Sequence, residues 1–333
     1  MNLKKNKLLF IFIFISVFAS AQSIDVEQID QIWRPRIKIE SRYFVPIKFS
    51  DTLGKYSNFE QRAIFTFPIK TKFKVDGAID LSDFKLKSII KNSLKTIELE
   101  ASQTMGSIRV ERRSVKIEFD SLPQKQLYNF SASIFGLKLT KKYRILFYNV
   151  SLNHAEENKT LNHFALRANA IGGRFHIRSL RKNFYYGALL SYSDKYFLPV
   201  PFFGGAQPLS DKLTLNYTLP AYVSVAYELN NKLTINSGVT IDGYKSGILF
   251  QEKRTNISNT NWAAFANANY SIGQSFSIKA ELGYNFYSSL SYTKSNFYRY
   301  NYAYGKGVYV QFTLSQLMGK TLFEKIISKV NPF

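Results

Sequence analysis

The stretch Leu213–Leu229, LTLNYTLPAYVSVAYEL, shows the pattern that decides the fold. Every odd-numbered residue in it is apolar or aromatic, and most even-numbered residues are polar. Successive side chains of a β-strand point to opposite faces, whereas a helix would place apolar residues three and four apart. The sequence therefore predicts a single strand over 213–229 with one apolar face. Its 17 residues far exceed the ordinary strand length of about 5–6.

Three further runs show the same period of two, at 37–47, 276–286 and 308–314. A strand that crosses a membrane needs about 9–11 residues in the hydrocarbon. The 29 Phe and 22 Tyr residues suit strands and the aromatic girdles of membrane barrels. The mean hydropathy of −0.17 fits such a barrel, because only every second side chain of each strand faces lipid. These features predict an all-β fold, an antiparallel, up-and-down transmembrane β-barrel.

The strand assignment gives about 14 strands, with 12 as the alternative count. Short turns and longer loops alternate in it, which is typical of outer-membrane barrels and places both termini in the periplasm. The short turns are predicted near Thr71, Met105, Lys141, Leu180, Asn230 and Gly273. The predicted strands are 36–48, 60–70, 72–87, 93–104, 106–119, 127–139, 143–153, 163–177, 184–196, 213–229, 231–243, 260–271, 275–287 and 302–315.

The first 21 residues have the layout of a secretory signal peptide. Three lysines among the first seven residues precede the apolar run Leu8–Phe18, and Ala19-Ser20-Ala21 then forms an A-x-A cleavage site. Cleavage is predicted between Ala21 and Gln22. The alternative of a membrane-anchoring helix needs about 20 apolar residues, more than this run provides.

The predicted organisation has four parts. Residues 1–21 are the signal peptide, 22–35 a short periplasmic segment, 36–315 the barrel and 316–333 a periplasmic tail. In the tail, apolar residues recur at helical spacing with lysines between them, which predicts a short amphipathic helix. An interfacial helix, a partial plug of the barrel mouth and a frayed tail all fit this pattern. The absence of Cys excludes disulfides and a lipid-modified cysteine.

The last predicted strand carries a motif that resembles the sorting signal of outer-membrane barrels. It consists of a polar residue, a glycine and two hydrophobic residues separated by one position, here Lys306, Gly307, Val310 and Phe312. The resemblance implies recognition by the barrel-assembly machinery, with strand addition at an open sheet edge as the physical basis. This sequence departs from many barrels in that further residues follow the motif.

Charged residues occupy the polar positions of the alternating strands, so they are predicted to face the lumen. The formal net charge is +22, and the basic residues are spread along the chain without a basic arm or patch. Lipopolysaccharide phosphates, or small anions in the lumen, are therefore favoured over nucleic acid as partners. The candidate lumen charges are Arg36, Lys38, Glu40, Arg42, Lys279 and Glu281.

No motif points to an enzyme or a cofactor. The three histidines are His154, His163 and His176, and the spacing of the first two fits no metal site. His154 and His163 are predicted to flank a solvated loop, and a hydrolase in the barrel wall is the less favoured alternative. No cofactor and no metal are predicted.

The segment Leu198–Gly205, LPVPFFGG, is predicted as an outside loop. Its two prolines bar ladder hydrogen bonds, and its two glycines permit unusual backbone angles. A loop that touches a ligand and a plain strand end with girdle aromatics are both compatible with this composition, and the second is favoured.

The signal peptide, the Tyr- and Phe-rich strands and the run 198–220 resemble a domain-of-unknown-function family of bacterial outer-membrane β-barrels. The resemblance implies a barrel in the outer membrane of a Gram-negative bacterium, in contact with lipid and lipopolysaccharide, and implies no substrate. The function hypothesis is a pore for small, anionic solutes. The alternatives are a non-transport barrel of a surface or secretion complex and, least favoured, an enzyme in the barrel wall.

Overall fold

A computed structural model describes most of the predicted barrel. The described residues are 35–48, 54–76, 98–117, 124–140, 144–157, 166–179, 182–193, 196–250, 253–295, 298–304 and 306–319. The predicted signal peptide with its cleavage site at Ala21 and Gln22, and the predicted helix beyond residue 319, lie outside these residues. Within the described part of the chain, no helix has the length and hydropathy needed to span a membrane.

All regular elements of the described chain are strands. They are β1 (Arg36–Lys48), β2 (Lys55–Asp76), β3 (Glu98–Ile117), β4 (Lys125–Leu139), β5 (Ile145–Glu157), β6 (Leu166–Ser179), β7 (Lys182–Ser193), β8 (Tyr196–Pro208), β9 (Leu213–Leu219), β10 (Tyr222–Glu228), β11 (Leu233–Phe250), β12 (Lys253–Ile272), β13 (Phe276–Ser295), β14 (Tyr298–Tyr304) and β15 (Gly307–Leu317).

Each strand pairs antiparallel with its sequence neighbour from β1 to β13, and β15 closes the ring. β15 pairs with the first half of β13 and with β1, while β14 pairs with the second half of β13. β14 and β15 therefore share one position in the wall, which makes a closed barrel of 14 strands. The predicted fold class and strand number are confirmed.

The barrel has a terminal rim, where β1 begins and β15 ends, and an opposite rim, here called the far rim. Arg36 is paired with Leu317, and the Met318 N–H donates a hydrogen bond of 2.8 Å to the Pro35 carbonyl. Both ends of the barrel therefore lie at the same rim, as an even strand number requires.

Several strand positions differ from the prediction, although the total is right. The predicted turns at Thr71 and Met105 are wrong, because both residues lie inside the long strands β2 and β3. Pro68, near the first predicted turn, is accommodated by a register shift between Pro68 and Lys70. The long loops predicted over 197–212, 244–259 and 288–301 are also wrong, since strands fill most of these ranges.

The stretch 213–229 forms two strands and not one. β9 and β10 are joined by a two-residue turn at Pro220-Ala221, and Thr218 pairs with Tyr222. The segment predicted as a loop, 198–205, lies in β8, which pairs with β7 along its length. Compared with the prediction, the described chain has two strands fewer before residue 119 and two strands more between residues 196 and 228. The two differences cancel, so the total is the same.

The strands alternate between a lipid-type outer face and a polar or buried inner face. On the outer face, Ile39 is 52% exposed, and Leu282 and Phe312 are each 58% exposed. Their neighbours Glu40, Glu281 and Gln311 are buried inside the barrel. A barrel with an apolar outer surface and charged residues inside has the polarity that a bilayer requires.

Among the described residues, no strand of the wall lies between β8 and β11 beyond the β9–β10 hairpin on its far-rim side. Pairing between β8 and β9 stops at Phe203 and Leu219, and pairing between β10 and β11 stops at Tyr222 and Thr240. Within the described chain, β8 residues 196–202 have a strand partner on one side only. One edge of β11 pairs with β10 up to Thr240. Beyond that residue, the same edge meets a strand of the described chain only where Gly247 pairs with Glu156 of β5.

Candidate binding site in the barrel lumen

Beyond Thr240, β11 stays paired with β12 up to Phe250, while its other edge borders the lumen and meets β5 at Gly247. Six consecutive residues, 240–245, line one central cavity of about 300 Å³. Because alternate residues of a strand point to opposite sides, both faces of this segment border the cavity. Hydrogen bonds fix its far end to β4 and β5: Lys125 Nζ donates to the Leu249 carbonyl at 3.1 Å, and the Leu249 N–H donates to Glu157 Oε2 at 3.0 Å.

An ion-pair network occupies the inner face of β1, β2 and β3 beside the cavity. Arg62 contacts Glu60 at 2.5 Å, Glu40 at 3.3 Å and Glu111 at 3.5 Å. Arg113 contacts Glu111 at 2.6 Å and Glu60 at 3.0 Å. Buried charges need such close and multiple partners to offset the loss of hydration. The network consists of Lys38, Glu40, Glu60, Arg62, Glu111 and Arg113.

The network also holds the β11 segment in place. The Arg113 guanidinium lies 4.1 Å from the centre of the Tyr244 ring, a cation–π contact. Arg42 contacts Asp242 at 2.5 Å and also donates to Gln311 at 2.6 Å. Two residues of β11 are thereby tied to the opposite inner wall.

An apolar layer lies between the ion-pair network and the far rim. Its residues come from the far-rim ends of seven strands, and each is at most 5% exposed. The layer therefore packs hydrocarbon side chains of β1–β4 and β11–β13 together on the far side of the charges. The far-rim layer consists of Ile47, Tyr56, Val115, Ile117, Leu127, Ile248, Ile257 and Leu290.

A second apolar cluster covers the inner face of β3 to β8 on the other side of the cavity. Its aromatic rings pack edge to face: the Phe147 and Phe175 centroids are 5.6 Å apart. The β3–β8 cluster consists of Met105, Phe135, Leu137, Phe147, Ile171, Phe175, Tyr185, Leu189, Val200, Phe202 and Ala221. Ile171 and Leu189 belong to this cluster and also line the central cavity.

The cavity lining carries an excess of positive charge. Four carboxylates line it, Glu60, Glu111, Asp242 and Glu281, against seven basic side chains. The basic side chains are Arg42, Arg62, Arg109, Arg113, Arg167, Lys245 and Lys279. A cavity walled by protein concentrates the field of these charges, so it attracts anions.

Arg167 on β6 differs from the other cavity arginines. It is 6% exposed, and its guanidinium donates a hydrogen bond to the Lys245 carbonyl of β11. Its Nε and one terminal nitrogen are buried without a hydrogen-bond partner, and no carboxylate of the described residues forms an ion pair with it. A buried guanidinium that lacks its hydrogen bonds is costly, which marks the position as a candidate anion site.

The residues predicted as lumen charges lie on the inner face. Lys38 and Glu40 belong to the ion-pair network, and Lys279 and Glu281 line the cavity with Arg42. Glu281 accepts hydrogen bonds from the Tyr309 hydroxyl at 3.0 Å and from the Asn267 amide at 3.1 Å. The sixth residue, Arg36, lies at the terminal rim, away from the cavity lining.

The residues of the sorting-like motif lie at the start and middle of β15. Val310 and Phe312 are on the outer face, and Phe312 is 58% exposed. Gly307 is buried, and a Cβ atom there would lie 2.1 Å from Ile47 Cδ1, so a larger residue would require the Ile47 side chain to move. Lys306, just before the strand, is exposed. Recognition by the assembly machinery stays a prediction.

The histidines do not gather at the cavity. His154 lies near the end of β5, one residue beyond the predicted strand, and its Nε2 is 3.7 Å from Glu156 Oε2. His176 stacks on the ring of the outward-facing Tyr186 with centroids 5.8 Å apart. His163 lies outside the described residues. No three His, Asp or Glu side chains among the described residues are grouped as metal ligands.

The sequence does not reveal the site around Arg167, because alternation predicts which way a side chain faces and not which partners surround it. Lys245 of β11 and Asn169 of β6 line the same cavity from strands that are far apart in the sequence. The signal that could have found Arg167 is its strand position alone, since an unpaired charge is recognised only from what surrounds it.

The fold and the lumen define a β-barrel membrane protein of the outer-membrane type, with an apolar outer face and a closed ring of strands. The chain belongs to the family described as Domain of unknown function (DUF6268), whose model matches residues 91–318. This confirms the resemblance found in the sequence. A comparison with curated protein sequences found no match.

Solved structures with a similar fold include outer-membrane barrels of several kinds. The COG4313 outer membrane channel from Pseudomonas putida F1 is 8% identical, with a TM-score of 0.41 and coverage of 86% of this chain and 96% of that chain. The β domain of the Bordetella autotransporter BrkA is 7% identical, with a TM-score of 0.31 and coverage of 86% and 98%. Acinetobacter baumannii Omp33 is 10% identical, with a TM-score of 0.26 and the same coverage. At these scores, none of them bears on the chemistry of the lumen.

Proposed function

We propose that this protein is an outer-membrane channel that selects small anionic solutes, with both termini in the periplasm. The observation that carries the proposal is the excess of three positive charges among the charged side chains that line the central cavity. Mobile anions would be attracted to this cavity, and mobile cations would be repelled. Lipid and lipopolysaccharide contact the outer face in this proposal, and the barrel-assembly machinery inserts the chain.

The channel is narrow and not a wide porin. The cavity of about 300 Å³ is in the size range of a site for a small molecule. The far-rim layer packs apolar side chains of β1–β4 and β11–β13 on one side of the cavity, so in this proposal a solute passes only when that layer moves. A low conductance with frequent closures is therefore expected.

The test is the ion selectivity of the purified mature barrel in planar bilayers. Under a KCl gradient, the reversal potential should have the sign of chloride preference, and Arg109→Gln with Lys245→Gln should reduce that preference. Arg174→Gln is the matched control, because Arg174 does not line the cavity. A potassium preference, or no conductance above that of the empty bilayer, would contradict the proposal.

The second candidate is a non-transport barrel that serves a surface or secretion complex. The observation that favours it is the far-rim layer, whose eight buried apolar residues pack together on one side of the cavity. This candidate predicts no ion conductance and stable co-purification with partner proteins. The bilayer experiment therefore distinguishes it from the channel.

A further inference from the structure

We infer that the cavity next to Arg167 binds an amphipathic anion, a molecule with one carboxylate or similar acidic head and an apolar body. The inference deepens the proposed function, on which it rests, by naming a class of solute. It rests on two features that meet in one cavity, a guanidinium with two donors that lack acceptors and an apolar wall.

The first feature is the anion position at Arg167. The guanidinium is in a cavity that is walled by protein, and it keeps hydrogen-bond donors without acceptors. A carboxylate can accept two parallel hydrogen bonds from one guanidinium, which makes it the matching ligand group. The side chains of Asn153 and Asn169 line the same cavity and offer further polar contacts to the head group.

The second feature is the apolar surface that begins beside this position. Ile171 lies four residues along β6 from Arg167, on the same inner face, and Leu189 of β7 lies across from it. Both residues continue into the β3–β8 cluster, which reaches Val200 and Phe202 of β8. A ligand with its head at Arg167 can therefore place an apolar body against Ile171 and Leu189.

A small inorganic anion would use only half of this site. It would neutralise Arg167 and leave Ile171 and Leu189 in contact with water in the cavity. An uncharged apolar molecule would bury the apolar wall and leave the guanidinium unpaired. Because each half of the site penalises the ligand that lacks the complementary half, the amphipathic anion is the class that both features select.

Binding of radiolabelled decanoate to the mature barrel in lipid nanodiscs tests the inference, with empty nanodiscs subtracted. Decanoate should bind saturably, while acetate and decanol should bind at least about tenfold more weakly, since each lacks one contact class. Arg167→Gln should weaken decanoate binding about tenfold or more and should not weaken the binding of decanol, which gains nothing from the guanidinium. The outward-facing Arg174→Gln should bind decanoate like the parent protein.

A second variant keeps the test independent of the folding of the first. Leu189→Asn should weaken decanoate binding with little effect on acetate, and heat-modifiable migration on a gel shows that each variant is folded. Equal affinity for acetate and decanoate, or full decanoate binding by Arg167→Gln, would overturn the inference. Chloride selectivity without decanoate binding would refute this inference alone, whereas decanoate binding at Arg167 in a cation-selective or closed barrel would refute the channel proposal alone.

Discussion

Arg113 is expected to be the residue of the ion-pair network whose loss destabilises the barrel most clearly. It is 5% exposed, it contacts two buried carboxylates and it lies against Tyr244 of the β11 segment. Arg113→Met would remove this cation and leave Glu60 and Glu111 facing each other. Removing one partner of a buried ion pair typically costs about 3–5 kcal/mol.

The remaining contacts place the expected loss at the low end of that range. Arg62 stays within 2.5 Å of Glu60 and 3.5 Å of Glu111, so neither carboxylate becomes wholly unpaired. We expect a loss of about 3 kcal/mol, which corresponds to a change of about a hundredfold in the unfolding equilibrium constant. The double variant Arg113→Met with Glu111→Met removes a carboxylate as well, so it should lose only about 1 kcal/mol.

Urea unfolding of the barrel in lipid vesicles, followed by heat-modifiable gel migration, measures these differences. Arg112→Met is the matched control, because Arg112 is the next residue on β3 and is exposed on the other face. It should change the free energy of unfolding by less than about 0.5 kcal/mol. The reasoning is refuted if Arg113→Met is no more destabilising than Arg112→Met, or if the double variant loses as much as the single one.

Three further predictions concern the outer face, the wall and the far rim. Leu282→Arg should lower the free energy of unfolding by about 2–4 kcal/mol, because Leu282 is 58% exposed on the lipid-type face. A loss of less than about 0.5 kcal/mol, which is usual for a water-exposed position, would contradict a lipid-facing Leu282. Gly283→Ala should cost about 1–3 kcal/mol in the same assay, since the new Cβ would lie 2.1 Å from the Tyr309 ring, and adding Tyr309→Ala should make the glycine change harmless. Ile248→Ala should increase single-channel conductance by thinning the far-rim layer, and an unchanged conductance would show that the barrier lies elsewhere.

The alternation in the sequence predicted the faces of the strands well because it depends only on the geometry of a strand. The inner position of Lys38, Glu40 and Glu281 follows from that period. The same period hid the β9–β10 hairpin. Paired residues across this hairpin are Thr218 and Tyr222, whose numbers are both even, so the inward-facing parity continues through the turn without a break. Nothing in a period-two pattern can reveal a turn of this register.

Other differences arise from contacts that no local pattern contains. Pro199 and Pro201 predicted a loop, because proline cannot donate in a ladder. β8 tolerates both, since it lacks a partner on one side over those residues. The contact of β11 with β5 and the lack of a carboxylate beside Arg167 likewise depend on which strands meet across the barrel, through side chains far apart in sequence.

The gap above the β9–β10 hairpin has a consequence for association with other chains. The Ala206 N–H points to β7, where it donates to Asn183 Oδ1, and the Leu209 N–H points to the β9 side. Odd-numbered residues of β8 therefore direct their backbone groups toward the gap, and at Pro199 and Pro201 those groups are carbonyls without donors. A strand from a second molecule would find no donor at two successive positions, so this edge is a poor template for aggregation. The barrel can keep an opening in its wall without presenting a surface that recruits foreign strands.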